Sequence, residues 1–310
     1  MPLLEVLNLR KSYGPLTAVD GISFGIEPGE IFGLLGPNGA GKSTSINIIA
    51  TILPPDGGEI HLAGVSISRS AAYKRRLGYV PQQISLFDRL TARENLHLFG
   101  RLFDLSGPEL FEKTDSLLRS VGLEDRADDL VQVFSGGMKR RLNIAAALLH
   151  DPELVLMDEP TAGVDPQARA YIFEIVERLA AAGKAVLYTT HYMEEAQRLC
   201  SRTAIIDHGH ILAMGTIADL ISGSRTKVEL VIEAPHLTSS LVAELARELG
   251  TGPSSIEENV GRLNVTDDPA ILLHAASAAQ RLGIHPTALR LAEPNLESVF
   301  LELTGRALRD

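Results

Sequence analysis

Gly36, Pro37, Asn38, Gly39, Ala40, Gly41, Lys42, Ser43 and Thr44 read "GPNGAGKST", which has the spacing G-x-x-x-x-G-K-[ST]. Glycines let backbone N–H groups turn inward around a polyphosphate, and a helix that starts at once adds partial positive charge at its N-terminus. Lys42 supplies a point charge for the β- and γ-phosphates, and the Ser43 hydroxyl is a hard oxygen ligand suited to Mg²⁺. The apolar run "EIFGLL" leads into this loop and the helical pattern "STSINIIATIL" leaves it, which is the context a nucleotide-phosphate cradle requires. A glycine-rich turn that binds nothing is the alternative.

"ELVLMDEP" is an apolar strand that ends on Asp158 and Glu159. In open parallel sheets ligands sit beyond the carboxyl ends of the strands, so both acids are expected at the edge that carries the phosphates. Asp158 fits the aspartate that holds magnesium, acting through a water, and Glu159 is placed to orient or deprotonate an attacking water. The strand "KAVLYTTH" brings His191 to the same edge, where its imidazole could donate to a γ-phosphate. A second anion cradle lies in "FSGGM": Ser135 is a good helix N-cap, and Gly136 and Gly137 expose backbone N–H groups ahead of "KRRLNIAAALLH". Standing alone, that segment would read as an ordinary capped helix.

Short apolar runs bounded by glycine and proline alternate with helical patterns from residue 30 to residue 206, which predicts a mostly parallel sheet covered by helices, of α/β class. "EIFGLL", "LVLMD", "KAVLYTT" and "TAIID" are the candidate core strands. "LLEVLNLRKSYG", "GISFGIEPGE" and "GEIHLAGVSI" read as antiparallel strands on one edge. Between residues 85 and 150 the pattern turns helical: Thr91 and Glu94 form a T-x-x-E capping box, and "PELFEKTDSLLRSVG" starts on proline and stops on glycine. From about Arg225 a small β-α-β-α-β-α unit is the simplest pattern, its last helix presenting Leu296, Val299, Phe300 and Leu303 on one face.

The chain has 310 residues and a formal net charge of -10, so no global basic field gathers nucleic-acid phosphates and no direct nucleic-acid partner is expected. Its single cysteine, Cys200, excludes an internal disulfide and fits a reducing compartment. No apolar run approaches the ~18 residues that cross a bilayer, so if the protein works at a membrane something else must hold it there.

"GPNGAGKST", "YVPQ", "FSGGM", "LVLMDEP", "AGVD" and "TTH" stand in the order of the Walker A, Q-loop, signature, Walker B, D-loop and H-loop motifs. Over about residues 3–220 the chain thereby resembles the ATP-binding cassette ATPases. The resemblance implies a P-loop NTPase cassette at residues 1–222, with a mostly parallel sheet, an antiparallel β edge and a helical subdomain at about 85–150. A small α+β accessory domain at 223–310 completes the expected fold. It implies ATP and Mg²⁺ as cofactors, Tyr13 stacking on adenine, Gln82 sensing the γ-phosphate and the metal, and Asp165 at a dimer interface. In that family each ATP is sandwiched between the Walker A motif of one cassette and the signature of another. A second cassette, most simply a copy of this chain, is therefore an implied partner.

Phe134 and Met138 depart from the commonest signature, Leu-Ser-Gly-Gly-Gln, while the Ser-Gly-Gly core is intact. Ser-Gly-Gly-Met forms are familiar in the multidrug and ABC-2 type export ATPases, and "EPNLESVFLELTGRALRD" resembles the C-terminal domain of daunorubicin-type exporter ATPases. The implied function is the ATP-hydrolysing subunit of an exporter, held on the cytoplasmic face of the membrane by an ABC-2 type permease whose coupling helices meet about Ile84 to Leu96. The competing classes are a cassette acting on ribosomes or DNA, an importer ATPase, and an ordinary P-loop kinase.

Overall fold

The computed structural model describes residues 2–67, 71–223, 228–251, 253–257, 259–265, 268 and 270–304. Arg225, where the second unit is expected to open, and the closing residues 305–310 lie outside them. The chain separates into two compact units, divided in sequence between Ile217 and Ala218.

The first unit opens with β1 (Leu4–Tyr13) and β2 (Leu16–Ile26), followed by β3 (Ile31–Leu35), α1 (Lys42–Ile49), β4 (Gly57–Leu62) and β5 (Val65–Ser66). Strands β2, β1, β4 and β5 form an antiparallel sheet in that order, as the turn-punctuated edge predicts. After α2 (Ala71–Arg75) come β6 (Leu77–Val80), α3 (Ala92–Leu102), α4 (Gly107–Ser120) and α5 (Gly136–Leu148). The Thr91 capping box closes in both directions, and Pro108 stands in the first turn of α4. Then β7 (Leu154–Asp158), α6 (Pro166–Ala181), β8 (Ala185–Thr190), α7 (Met193–Leu199), β9 (Arg202–Asp207) and β10 (His210–Thr216) complete the series, and α8 (Ile217–Gly223) begins at the division and runs on in the second unit.

The central sheet runs β10-β9-β3-β8-β7-β6, parallel from β9 to β6 with β10 antiparallel at one edge. Every residue of β3, β7 and β8 is buried, which is why these strands read as unbroken apolar runs. Phe32, Leu34, Leu154, Leu156 and Leu187 face α1 and the antiparallel sheet in one core. α6 and α7 pack against β3 and β8. Burying a leucine or isoleucine side chain stabilises by about 1.5–3 kcal/mol, so this apolar layer anchors the loops that leave the strand ends.

Two strands of this sheet were not among the four expected. β6 is short and holds Gly78, where a Cβ would lie 2.5 Å from the Ala147 carbonyl oxygen, so packing of α5 demands the residue that weakens the strand signal. β10 alternates exposed and half-buried positions on the sheet edge.

The second unit has its own core, built on Leu230, Ile232, Val242, Leu245, Leu263 and Ala278. Its elements are β11 (Glu229–Glu233), α9 (Ser239–Glu248), β12 (Pro253–Glu257), β13 (Val260–Asn264), α10 (Ala270–Arg281), β14 (Ala288–Ala292) and α11 (Leu296–Thr304). The sheet is antiparallel, ordered β12-β13-β11-β14. β12, with the polar sequence "PSSIE", is the strand that the β-α-β-α-β-α pattern omits. α11 buries Leu296, Val299 and Phe300, but Leu303, expected on the same face, is 41% exposed.

Candidate functional site

Parallel strands deliver the functional side chains to one edge. β3 ends at the phosphate loop, β7 at Asp158 and Glu159, β8 at Thr189, Thr190 and His191, and β6 at the loop of Gln82. The register pairs Leu35 with Thr190 and Asp158 with Thr189, so the three strand ends are level.

The loop from Gly36 to Gly41 is held close to its neighbours. A Cβ on Gly36 would sit 2.2 Å from the Ile206 carbonyl oxygen, and one on Gly41 2.3 Å from that of Ala18. Gly41, at φ +108°, N-caps α1 and turns the chain so that the helix starts on Lys42. Pro37, Asn38, Gly39 and Ala40 lie in the same loop between β3 and α1, and Thr44 lies in the first turn of α1.

Lys42 is 4% exposed. Its Nζ donates to the carbonyls of Gly36 at 2.8 Å and Pro37 at 3.1 Å, and pairs with Glu159 Oε1 at 3.2 Å. Burial lowers its pKa, opposed by the Glu159 and Asp158 carboxylates. Asp158, 3% exposed, accepts from Ser43 Oγ at 3.2 Å and Thr189 Oγ1 at 2.7 Å. Burial raises its pKa, although those hydrogen bonds and Lys42 favour the carboxylate.

Glu159 is the hub. Besides Lys42, its carboxylate accepts from Gln82 Nε2 at 3.4 Å and meets His191 Nδ1 at 3.1 Å. With Glu159 ionised, that bond places the hydrogen on His191 Nδ1 and leaves Nε2 on the other side of the ring. Glu159 has φ +45°, an uncommon left-handed conformation for a residue with a side chain, and its N–H donates to Thr189 Oγ1 at 3.0 Å.

The structure thus brings together Lys42, Ser43, Gln82, Asp158, Glu159 and His191. The set fits a Mg-nucleotide: inward-turned backbone and an ammonium for phosphate, and a hydroxyl, a carboxylate and an amide oxygen as hard ligands for the metal.

Ser135, Gly136, Gly137 and Asp165 form a second locus. Ser135 Oγ caps α5 by accepting from Met138 N–H at 3.2 Å, and Asp165 Oδ1 caps α6 by accepting from Ala168 N–H at 2.9 Å. Ser135, Gly137, Met138, Arg141, Asp165 and Tyr171 line a cavity of 410 Å³ that no residue of the phosphate loop lines. Gly137 is required by packing, since a Cβ there would lie 2.5 Å from that of Ala168. Gly136 faces open space. Tyr13 stands outside both groups at the end of β1, 45% exposed, with Lys11 Nζ 5.9 Å from its ring centroid.

Sequence reasoning missed Thr189, which orders both acids, and Arg140. Arg140 is 3% exposed and donates to the Pro81 carbonyl at 2.6 Å and to the Gln82 carbonyl. On the same helix Lys139 pairs with Asp88 at 2.6 Å and Asn143 accepts from Ser85 N–H at 3.3 Å, so α5 grips the Gln82 loop along its length. Thr189 could have been found as a hydroxyl at a strand end beside His191; Arg140 carries no local signal, since arginine is seldom buried.

Residues 19–162 match the family model for ABC transporters. The linearmycin resistance ATP-binding protein LnrL of Bacillus subtilis (strain 168) is 43% identical, over 99% of this chain and 100% of the relative. The Nod factor export ATP-binding protein I of Ralstonia nicotianae is 41% identical, over 100% of this chain and 96% of the relative. Among solved structures, a dimeric post-hydrolysis state of an ATP-binding cassette bound to ADP and Pi superposes with a TM-score of 0.63 at 28% identity, covering 69% of this chain and 98% of that one. With its phosphate loop, acid pair and histidine gathered at one sheet edge, the chain is an ATPase and belongs to the ATP-binding subunits of the ABC transporter family.

Proposed function

We propose that this chain is the motor subunit of an exporter, working on the cytoplasmic face of the membrane as a pair of cassettes around two Mg-ATP and driving a separate ABC-2 type permease. The observation that carries the pairing is the division of each chain into two half-sites. Lys42, Ser43, Asp158, Glu159 and His191 form one hydrogen-bonded cluster, while Ser135, Gly137 and Asp165 line a different cavity. A γ-phosphate held by the first cluster takes its remaining donors from Ser135 to Gly137 of a second copy, with Asp165 at the join.

In hydrolysis Glu159 accepts a proton from the water that attacks the γ-phosphorus, ADP leaves, and the Nε2 side of His191 steadies the γ-phosphate oxygens. Lys42, already paired with Glu159, exchanges the Gly36 and Pro37 carbonyls for phosphate oxygens, which adds anionic partners for its buried charge. Ser43, Asp158 and Gln82 would hold Mg²⁺, which would supply positive charge against that developing on the phosphates. Tyr13 offers a stacking face for the base.

Export is supported by the name of the Nod factor export protein, matched along nearly the whole chain, and the name of LnrL speaks of resistance to linearmycin. The region of about Ile84 to Leu96 is the proposed seat of the permease: Ile84 and Phe87 are 36% and 52% exposed there. An adjoining cavity of 460 Å³ is lined in part by Tyr79, Ser85, Phe99 and Phe103. The accessory domain, proposed to begin near residue 223, folds around its own core. The test is Glu159→Gln with ATP on gel filtration. A stable dimer is expected, and a chain still monomeric at saturating ATP contradicts the pairing.

A further inference from the structure

α7 opens two residues after His191, and from it the Glu195 side chain turns back into the protein, where the residue is 2% exposed. Its Oε1 accepts from Thr161 Oγ1 at 2.7 Å, and its Oε2 accepts from Tyr188 OH at 3.0 Å and Thr190 Oγ1 at 2.9 Å. Arg169 Nε lies 3.7 Å from Oε1, and the Arg169 guanidinium lies 5.3 Å from the centroid of the Tyr192 ring. A carboxylate buried this deeply is tolerated only where hydrogen bonds and opposite charge offset its desolvation. None of these partners belongs to the cluster around Lys42.

Their places in the chain give the network its meaning. Thr161 lies two residues after Glu159, inside a turn in which Ala162 N–H donates to the Glu159 carbonyl at 3.1 Å and Val164 N–H to the Thr161 carbonyl at 3.3 Å. Thr190 precedes His191, and its Oγ1 accepts from Tyr192 N–H at 2.9 Å, so the histidine is held from both sides. Glu159 itself has φ +45°. Such a conformation costs free energy and persists only where the surroundings over-determine it. Thr189 fixes the chain on one side of that residue; Glu195, through Thr161, fixes it on the other.

We propose that Glu195 is a positioning residue for ATP hydrolysis. Through Thr161 it holds Glu159 in its left-handed conformation, and through Thr190 it holds the His191 imidazole against the Glu159 carboxylate. The hydrolytic pair is thereby set from behind the site by a residue that touches neither nucleotide nor metal. None of the side-chain hydrogen bonds that Glu195 accepts comes from the phosphate loop, whose link to this network is the Gly36 N–H donating to the Thr190 carbonyl at 3.4 Å. The inference rests on the roles of Glu159 and His191 proposed above.

The experiment measures kcat, KM, ATP affinity and melting temperature for the full chain carrying Thr161→Val, Thr161→Ser or Glu195→Gln, beside Glu159→Gln. Valine keeps the volume and removes the donor; serine keeps the donor. Thr161→Val and Glu195→Gln are expected to lower kcat by roughly tenfold or more, as loss of a hydrogen bond to a charged group does when it acts on the transition state. ATP affinity should stay within about twofold, and Thr161→Ser should recover most of the turnover. If Glu195→Gln does not fold, Thr161→Val and Thr161→Ser decide. Wild-type kcat in Thr161→Val, or a joint fall of kcat, ATP affinity and melting temperature without rescue by serine, overturns the inference. With Glu159→Gln inactive, that result leaves the role of Glu159 standing. A Glu159→Gln chain that still hydrolyses ATP overturns the role of Glu159 and the inference with it.

Discussion

Thr189 Oγ1 donates to Asp158 Oδ1 at 2.7 Å and accepts from the N–H of Glu159 at 3.0 Å, so one hydroxyl on β8 orders both acids at the end of β7. Thr189 is fully buried, with 0% exposure. Thr189→Val keeps the shape, leaves the Glu159 N–H without an acceptor and leaves Asp158 with Ser43 alone. An unsatisfied buried donor costs about 1–3 kcal/mol, so melting should drop by several degrees. Turnover should fall by about tenfold or more, because the displaced Glu159 is the proposed base. Differential scanning calorimetry and a phosphate-release assay read the two effects; unchanged turnover would separate Thr189 from the chemistry.

Arg140 ties the helix of the Ser135 cradle to the loop of Gln82 through the Pro81 and Gln82 carbonyls. Lysine in its place keeps the charge and loses the planar fork that spans two successive carbonyls. Arg140→Lys should leave ATP affinity near the wild-type value and lower kcat by about tenfold, since Gln82 then loses its fixed distance from Glu159. Steady-state kinetics with an independent ATP-binding assay check this. A rise in KM with kcat unchanged would place Arg140 in ground-state binding.

Cys200 is 6% exposed, and burial pushes its thiol up to about 12. The reactive thiolate is therefore scarce at neutral and mildly alkaline pH. Iodoacetamide at pH 8 should leave the native chain unmodified and label it fully in denaturant, as mass spectrometry would show. Rapid labelling of the native chain would mean that the region between α7 and β9 opens readily.

Much of the catalytic edge was legible because fixed spacing carries its chemistry. Lys42 and Ser43 follow from the phosphate loop, and Asp158, Glu159 and His191 end apolar runs that are buried on both faces of the sheet. Gln82 was legible only by resemblance to a family, since a polar residue after proline has no chemistry of its own until Glu159 stands 3.4 Å away. β6 was hidden by Gly78 and β12 by its polar sequence. Thr189, Arg140 and Glu195 were silent for a shared reason. Each acts through a partner far away in sequence or buried against expectation, and local pattern holds no record of either.

The most direct test of the paired half-sites mixes two inactive chains. Lys42→Ala removes the phosphate-loop charge and keeps the cradle; Ser135→Arg blocks the cradle and keeps the phosphate loop. Each variant alone should be inactive. In a mixed dimer, one site combines both defects and the other pairs the intact phosphate loop of the Ser135→Arg chain with the intact cradle of the Lys42→Ala chain. ATPase activity should therefore reappear on mixing. A mixture as inactive as its parts, with mixed dimers demonstrably formed, would contradict the account.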